Sequence, residues 1–429
     1  MNNKIQPTDY ILKSMKTGKT YKDTGWMLNP PEKEPSLIRA IYSKKQLEVK
    51  DDSYGLYKFA DWLPIKKMLK GSYAPHTYKS EKLAQELGLS NLYITFSGYW
   101  PEKNIFMKTC SFKETEAYTV CGRMAAMEDK ILVVASAGNT ARAFARVCSD
   151  NNIPLLLSVP EDYIDTLWFD EPIKDNVKLI VSRSGSDYYD SIYLSNLACE
   201  LDNFIPEGGA KNVARREGMG TTVLSAVTTI GKIPDYYFQA VGSSTGAISA
   251  WEANLRLIED GNYGNNKMKL MVSQNSPFTL VHDAWKSNSR ELPKLDDNVA
   301  RGQVENIISK VLSNRKPVYS ISGGLYDAMK DAGGDVLLAT NEELNAASDL
   351  FEKLEGIDIH SAAAVATASL IKTVKENKID KDSIIMLNIT GGGEGRFAKD
   401  NKLHFLKPSL VFDINPDLQE VKEKLEKLF

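Results

Sequence analysis

Cysteine and histidine are both scarce, four of each in 429 residues. Cys110, Cys121, Cys148 and Cys199 show no C-x-x-C spacing and no clustering with histidine, which argues against a zinc site and for reduced thiols, as in the cytoplasm. No run of 18 apolar residues exists, so nothing is expected to span a bilayer. The first residues, Met1 to Asp9, lack the apolar core of a secretory signal. Charge of one sign is missing too. With 53 Lys and Arg against 56 Asp and Glu, the net charge is −3, leaving no electrostatic footprint for nucleic acid or anionic membrane. Repeats and low-complexity tracts are absent. What remains is 42% hydrophobic and 25% charged, an ordinary globular composition long enough for two or three domains.

The first 50 residues are polar and broken by Pro30, Pro31 and Pro35, and read as short strands and turns packed on the main body. Gly55–Leu69 reads as a helix ending in an aromatic corner. Lys79–Leu87 reads as a helix closed by Gly88, and Leu92–Phe96 as a strand. From Lys130 onward, apolar runs of four to six residues alternate with helices. The strands are Ile131–Ala135, Leu155–Val159, Val177–Val181, Tyr236–Val241, Lys269–Val272 and Ile384–Ile389, with helices at Thr140–Cys148 and Tyr188–Leu201 among them. This pattern predicts an α/β fold of parallel sheets covered on both faces. Ser287–Arg301 reads as a surface segment and Gln419–Phe429 as an amphipathic packing helix.

Lys113 is the most informative residue. Ser111 as N-cap and Glu114 three residues later form a predicted capping box, which puts Lys113 at the second helical position. There the helix dipole opposes a cation, lowers the amine's pKa and favours condensation with an aldehyde. Three strand-to-glycine-loop transitions accompany it. In Val133–Arg142, the loop Ser136–Thr140 opens a helix whose free N–H groups suit a carboxylate or phosphate, and Asn139 adds a neutral donor. In Phe238–Ala247, Gly242 and Gly246 let the backbone approach closely while Ser243, Ser244 and Thr245 supply hydroxyls and amides. That is a cup for one small phosphate, without the lysine of a P-loop. In Leu387–Gly395, Thr390 stands at the carboxyl end of a strand, where ligands of such sheets sit. Each segment alone also suits an ordinary turn, cap or solvated lysine. Together they match pyridoxal 5′-phosphate chemistry, with a hydroxyl rather than a carboxylate at the pyridine nitrogen. A neutral nitrogen favours prompt loss of a β- or γ-substituent over transamination.

Ser111-Phe112-Lys113, Ser136–Asn139, Gly242–Gly246, Gly356–Ala364 and Thr390–Gly393, in that order, resemble the threonine synthase and cysteine synthase group of fold-type II pyridoxal-phosphate enzymes. The resemblance covers roughly residues 70 to 400. It implies two doubly wound α/β domains with the cofactor between them. Lys113 would be the Schiff-base lysine, Asn139 the partner of the cofactor's phenolic oxygen, Gly242, Ser243, Ser244, Thr245 and Gly246 the phosphate cup, and Thr390 the pyridine-nitrogen contact. The backbone of Ser136, Ala137, Gly138 and Thr140 would hold the substrate's carboxylate. The expected boundaries are an N-terminal segment 1–50, a large cofactor-binding domain 51–110 plus 205–429, and a small mobile domain 111–204.

Within that group, Tyr78–Glu81 and Gly98–Glu102 resemble the cysteate synthases. The resemblance then implies replacement of the phosphate of O-phospho-L-serine by sulfite, giving L-cysteate for coenzyme M biosynthesis, in a cytoplasmic homo-oligomer. The alternative is a threonine synthase acting on O-phospho-L-homoserine, or another β-replacing or eliminating enzyme. A different class is a non-catalytic protein that binds a phosphate-bearing ligand. The paired cysteines that open many related enzymes have no counterpart in Tyr10–Tyr21, so no metal is expected there. Lys108, Arg123 and Arg142 are the candidate cations for the anionic substrate and sulfite.

Overall fold

Two parallel sheets, each flanked by helices, account for the alternating pattern of apolar runs. The computed structural model describes residues 8–429 apart from 33, 125, 126, 128 and 137. One sheet has six strands in the order Asp335–Ala339, Lys269–Asn275, Tyr236–Ala240, Ile384–Ile389, Asn91–Phe96 and His76–Lys79. All neighbours run parallel except the last pair. The other sheet has five parallel strands: Phe204–Pro206, Ile131–Ala135, Leu155–Pro160, Val177–Ser182 and Leu410–Phe412. Central strands such as Leu155–Pro160 are buried at every residue. That is why they read as continuous apolar runs rather than alternating ones.

The N-terminal ribbon is a three-stranded antiparallel sheet, Tyr10–Ser14, Thr20–Tyr21 and Ile38–Tyr42. Its Leu12, Ile38 and Tyr42 join the core around the six-stranded sheet. Three expectations change. Gly55–Leu69 forms a 3-10 helix only over Gly55–Trp62. It stops because Pro64 forces Leu63 into extended backbone, at φ −121° and ψ 133°. Lys79–Leu87 divides into a strand, His76–Lys79, and a shorter helix, Lys82–Leu87, which Gly88 closes in the left-handed conformation at φ 67°. The segment Ser287–Arg301 runs into a further helix, Asp297–Asn306, capped by the Asp296 side chain. The C-terminal helix Leu418–Leu425 packs through Val421 and Leu425 onto the five-stranded sheet. No described helix is long and apolar enough to cross a membrane.

Candidate active site

The carboxyl ends of both sheets open onto one cleft. Lys113, Ser136, Gly138, Asn139, Thr140, Gly242 to Gly246 and Thr390 all line it, so the described members of the predicted set meet in one place. Ala137 lies outside the described residues.

Lys113 is the first residue of the helix Lys113–Arg123, one position earlier than expected. The capping box does not form. Ser111 Oγ accepts from the Lys113 N–H at 3.2 Å, while the Glu114 carboxylate turns away to accept the N–H and hydroxyl of Thr109, both at 3.0 Å. The main reason for a lowered lysine pKa also differs. Burial disfavours the ammonium most, Glu116 opposes this at 3.6 Å, and the nearby Arg215 guanidinium adds to it. The net shift is downward, so a larger share of Lys113 is the free amine that can attack a carbonyl carbon.

The start of this helix is stitched to the threonine loop. Phe112 N–H donates to Thr390 O at 2.9 Å, Gly392 N–H to Cys110 O at 3.1 Å, and His360 N–H to Gly391 O at 2.9 Å. The glycine run has a physical cause. A Cβ on Gly391 would meet Cys110 O at 2.9 Å, and one on Gly392 would meet Asp358 O at 2.6 Å. Three backbone segments cross too closely for side chains, and this crossing fixes the spacing of Lys113, His360 and Thr390.

At the cup, the helix Thr245–Asp260 points its N-terminus into the cleft. Ser244 sits at φ 71° with its hydroxyl oxygen buried and without a hydrogen-bond partner. Ser243 and Thr245 share a hydroxyl contact at 2.9 Å. A Cβ at Gly242 would meet Val311 O at 2.8 Å, so only glycine lets the 310–312 turn pack there. A strained, buried and unsatisfied hydroxyl at a helix N-terminus is an incomplete anion site. A phosphate group completes it.

Across the cleft, Gly138, at φ 143°, precedes the helix Asn139–Asn151. Asn139 Oδ1 accepts from Arg142 at 3.0 Å, and its Nδ2 lies 3.3 Å from His360 Nε2. The Thr140 hydroxyl donates to Glu116 Oε1 at 3.1 Å.

The three expected cations fall elsewhere, and none lines the cleft. Lys108 pairs with Asp170 at 2.7 Å. Arg123, at the far end of the lysine helix, binds Asp23 of the N-terminal ribbon at 2.9 Å. Arg142 is spent on Thr109 O, Thr166 O, Asn139 and Glu394, with its guanidinium 3.8 Å from the Trp168 ring centre. Nearness in sequence placed them close to the motifs, but each is taken up by carboxylates or carbonyls, and Arg142 reaches the cleft only through Asn139.

The cations that do line it are Lys113, Arg215 and Lys310. Arg215 binds Glu116 at 3.0 Å and Glu207 at 2.5 Å. Burial works against its charge, but the two carboxylates outweigh burial and raise its pKa. Arg215 lies in the helix Val213–Ile230, whose first 15 residues are all buried, so this residue, Arg216 and Glu217 had to be partnered inside the protein. Tyr188 and His360 also line the cleft, and sequence reasoning gave neither a role.

A lysine amine at a helix start, an anion cup and a strand-end hydroxyl around one cleft define a pyridoxal-phosphate-dependent enzyme, and residues 78–391 match the family model described as "Pyridoxal-phosphate dependent enzyme". The fold agrees. The structure is similar to that of maize serine racemase, with a TM-score of 0.56 at 13% identity over 76% of this chain and 91% of that one. It is also similar to the processed form of threonine deaminase isoform 2 from Solanum lycopersicum, with a TM-score of 0.53 at 17% identity over 82% of each chain. In sequence it is 47% identical to the cysteate synthase of Methanosarcina acetivorans over 416 residues, 96% of this chain and 99% of that one. The cysteate synthase of Methanocella paludicola is 45% identical over 377 residues, 87% of this chain and 88% of that one. The chain belongs to the pyridoxal-phosphate-dependent enzymes and, within them, to the cysteate synthases. Its cofactor is pyridoxal 5′-phosphate, and the unpartnered Ser244 hydroxyl in the cup fits that group.

Proposed function

We propose that this enzyme replaces the phosphate of O-phospho-L-serine with sulfite, releasing L-cysteate and inorganic phosphate. The observation that carries the reading is the half-buried Lys113 amine facing the same cleft as the Arg215 guanidinium, between two helix N-termini. Both substrates are anions, and the cleft meets them with Lys310, whose ammonium donates to the Val304 and Glu305 carbonyls, and with Arg215, whose charge is shared with Glu116 and Glu207 beside the reacting lysine. Lys113 is the residue for covalent attachment of the cofactor, the 242–246 cup holds its phosphate, Asn139 meets its phenolic oxygen and Thr390 its ring nitrogen. The backbone of Ser136, Gly138 and Thr140, with Ala137 between them, receives the substrate carboxylate.

Bound pyridoxal phosphate supplies an electron sink for the α-carbon. The substrate's amine would take the place of the Lys113 amine on the cofactor, and the freed Lys113 would serve as base, taking the α-proton. The β-carbon–oxygen bond breaks with its electron pair leaving on phosphate. The sulfur lone pair of sulfite forms the new carbon–sulfur bond, and Lys113 returns the proton. A hydroxyl at Thr390 leaves the ring nitrogen without a counter-charge, which suits departure of a β-substituent. Residues 111–204 form the part that closes on the substrate carboxylate, in a cytoplasmic homo-oligomer.

The test is phosphate release from O-phospho-L-serine and O-phospho-L-homoserine, each with and without sulfite. Sulfite-dependent release from phosphoserine with formation of cysteate is the expected result. Sulfite-independent turnover of phosphohomoserine with no reaction of phosphoserine would instead make the chain a threonine synthase.

A further inference from the structure

His360 sits between two donors and can satisfy only one of them. Its Nδ1 accepts the Ala362 N–H at 3.3 Å, which caps the 15-residue helix Ser361–Lys375. Its Nε2 lies 3.3 Å from Asn139 Nδ2. The orientation of the Asn139 amide is not free. Arg142 has only donors, and it binds Asn139 Oδ1 at 3.0 Å, so the NH₂ end must face the imidazole. A neutral imidazole has one lone pair on nitrogen and one N–H. If Nδ1 keeps the helix cap, the ring proton is on Nε2 and points at another donor. If Nε2 accepts from Asn139, Nδ1–H points at the Ala362 N–H. The conflict disappears when an oxygen enters the cleft and takes both groups.

We infer that His360 is a second hydrogen-bond donor to the cofactor: with Nδ1 held by the Ala362 N–H, its Nε2–H converges with Asn139 Nδ2–H on one anionic oxygen, the phenolic oxygen of pyridoxal phosphate. The inference rests on the reading that the cofactor's phenolic oxygen meets Asn139. Two donors 3.3 Å apart leave room for a single oxygen at ordinary hydrogen-bond distance from both. Burial holds the imidazole neutral, and Arg142 nearby adds to this against the opposing pull of Glu394. His360 therefore gives a hydrogen bond without adding charge. Its backbone contact with Gly391 fixes it next to Thr390, so one three-segment crossing places donors at two positions of the same ring.

Two substitutions separate this role from helix capping. His360→Asn keeps an oxygen acceptor near the Nδ1 position and drops the Nε2–H. His360→Gln places an amide N–H near the Nε2 position and drops the cap. A donor to the phenolic oxygen stabilises the ionised, long-wavelength form of the bound cofactor. His360→Asn should therefore move absorbance to shorter wavelength and weaken cofactor binding by about tenfold, with little change in melting temperature. His360→Gln should keep most of the wild-type spectrum and melt earlier. Nitrogen-15 NMR of histidine-labelled holoenzyme should show the proton on Nε2. A wild-type spectrum in His360→Asn, or a proton on Nδ1, would overturn the inference. Failure of the wild-type protein to bind pyridoxal phosphate at all would instead overturn the reading beneath it.

Discussion

Adjacent residues of the lysine helix carry opposite problems of charge. Lys113 is held toward its neutral amine by burial. Replacing it with alanine should abolish borohydride-trapped cofactor on the peptide containing residue 113 and lower kcat by at least about 10²-fold, which peptide mass mapping and phosphate release would check. Glu114 is pushed up from 4.5 to about 7 by burial, against two hydrogen bonds from Thr109. The folded state thus binds its proton more tightly than the unfolded chain does. Stability from this group is full below the unfolded value of 4.5 and is lost as pH rises through 7. Glu114→Gln mimics the protonated form and keeps an oxygen for Thr109. Urea unfolding should show it matching the parent near about pH 4.5 and exceeding it near about pH 8.5 by up to about 3 kcal/mol. An equal margin at both pH values would mean that the carboxyl is not buried as a proton-binding group.

Helices set these side chains through one tight crossing. Gly218 of the helix Val213–Ile230 lies against Thr115 O and Thr119 of the lysine helix, where an added Cβ would fall 2.7 Å from Thr119 Oγ1. Gly218→Ala must push the lysine helix outward, and should cost roughly 1–3 kcal/mol together with a loss of turnover. Gly220→Ala, two residues on, is the control. Its Cβ would meet Ser249 O at 3.5 Å, an ordinary contact. The gain in helix propensity of about 1 kcal/mol should leave that variant as stable as the parent or more so. Thermal melts of the pair would read the difference in sign.

The same level shows what the sequence made legible. Ile131–Ala135 and Ile384–Ile389 match their expected ends because both runs are apolar but for Asn388. Asp335–Ala339 and Leu410–Phe412 were missed. The first is an edge strand, half-exposed at three of its five residues, and the second is three residues long, so neither forms a distinctive run. Motif residues were legible because glycine loops at strand ends announce themselves. Arg215 and His360 were not assigned, because their roles arise from partners far along the chain, at Glu116 and Asn139. The Ser111–Glu114 capping box gives way to a local competitor instead. Thr109 offers Glu114 two donors where Ser111 offers one backbone N–H.

Across the molecule, the cofactor site draws on both sheets and on the crossing at Gly391, so ligand binding and folding are linked. Saturation at about 1,000 times Kd should add about 4 kcal/mol to the unfolding free energy. The melting temperature should therefore climb with pyridoxal phosphate concentration, and Lys113→Ala should blunt the rise. Scanning calorimetry across a cofactor series would measure it. A concentration-independent melt would place the cofactor outside the folded cleft.

The strand order has a consequence for how the protein is made. Asn91–Phe96 finds its parallel neighbour only in Ile384–Ile389, and the five-stranded sheet takes its last edge from Leu410–Phe412. On the ribosome, an early apolar strand must wait through nearly three hundred residues of synthesis with one edge bare, open to a neighbouring nascent chain. Thr390 emerges just after the strand that fills that edge. A message cut short before that point therefore yields no half-active enzyme, only a chain with an unpaired edge and a threonine that was never made.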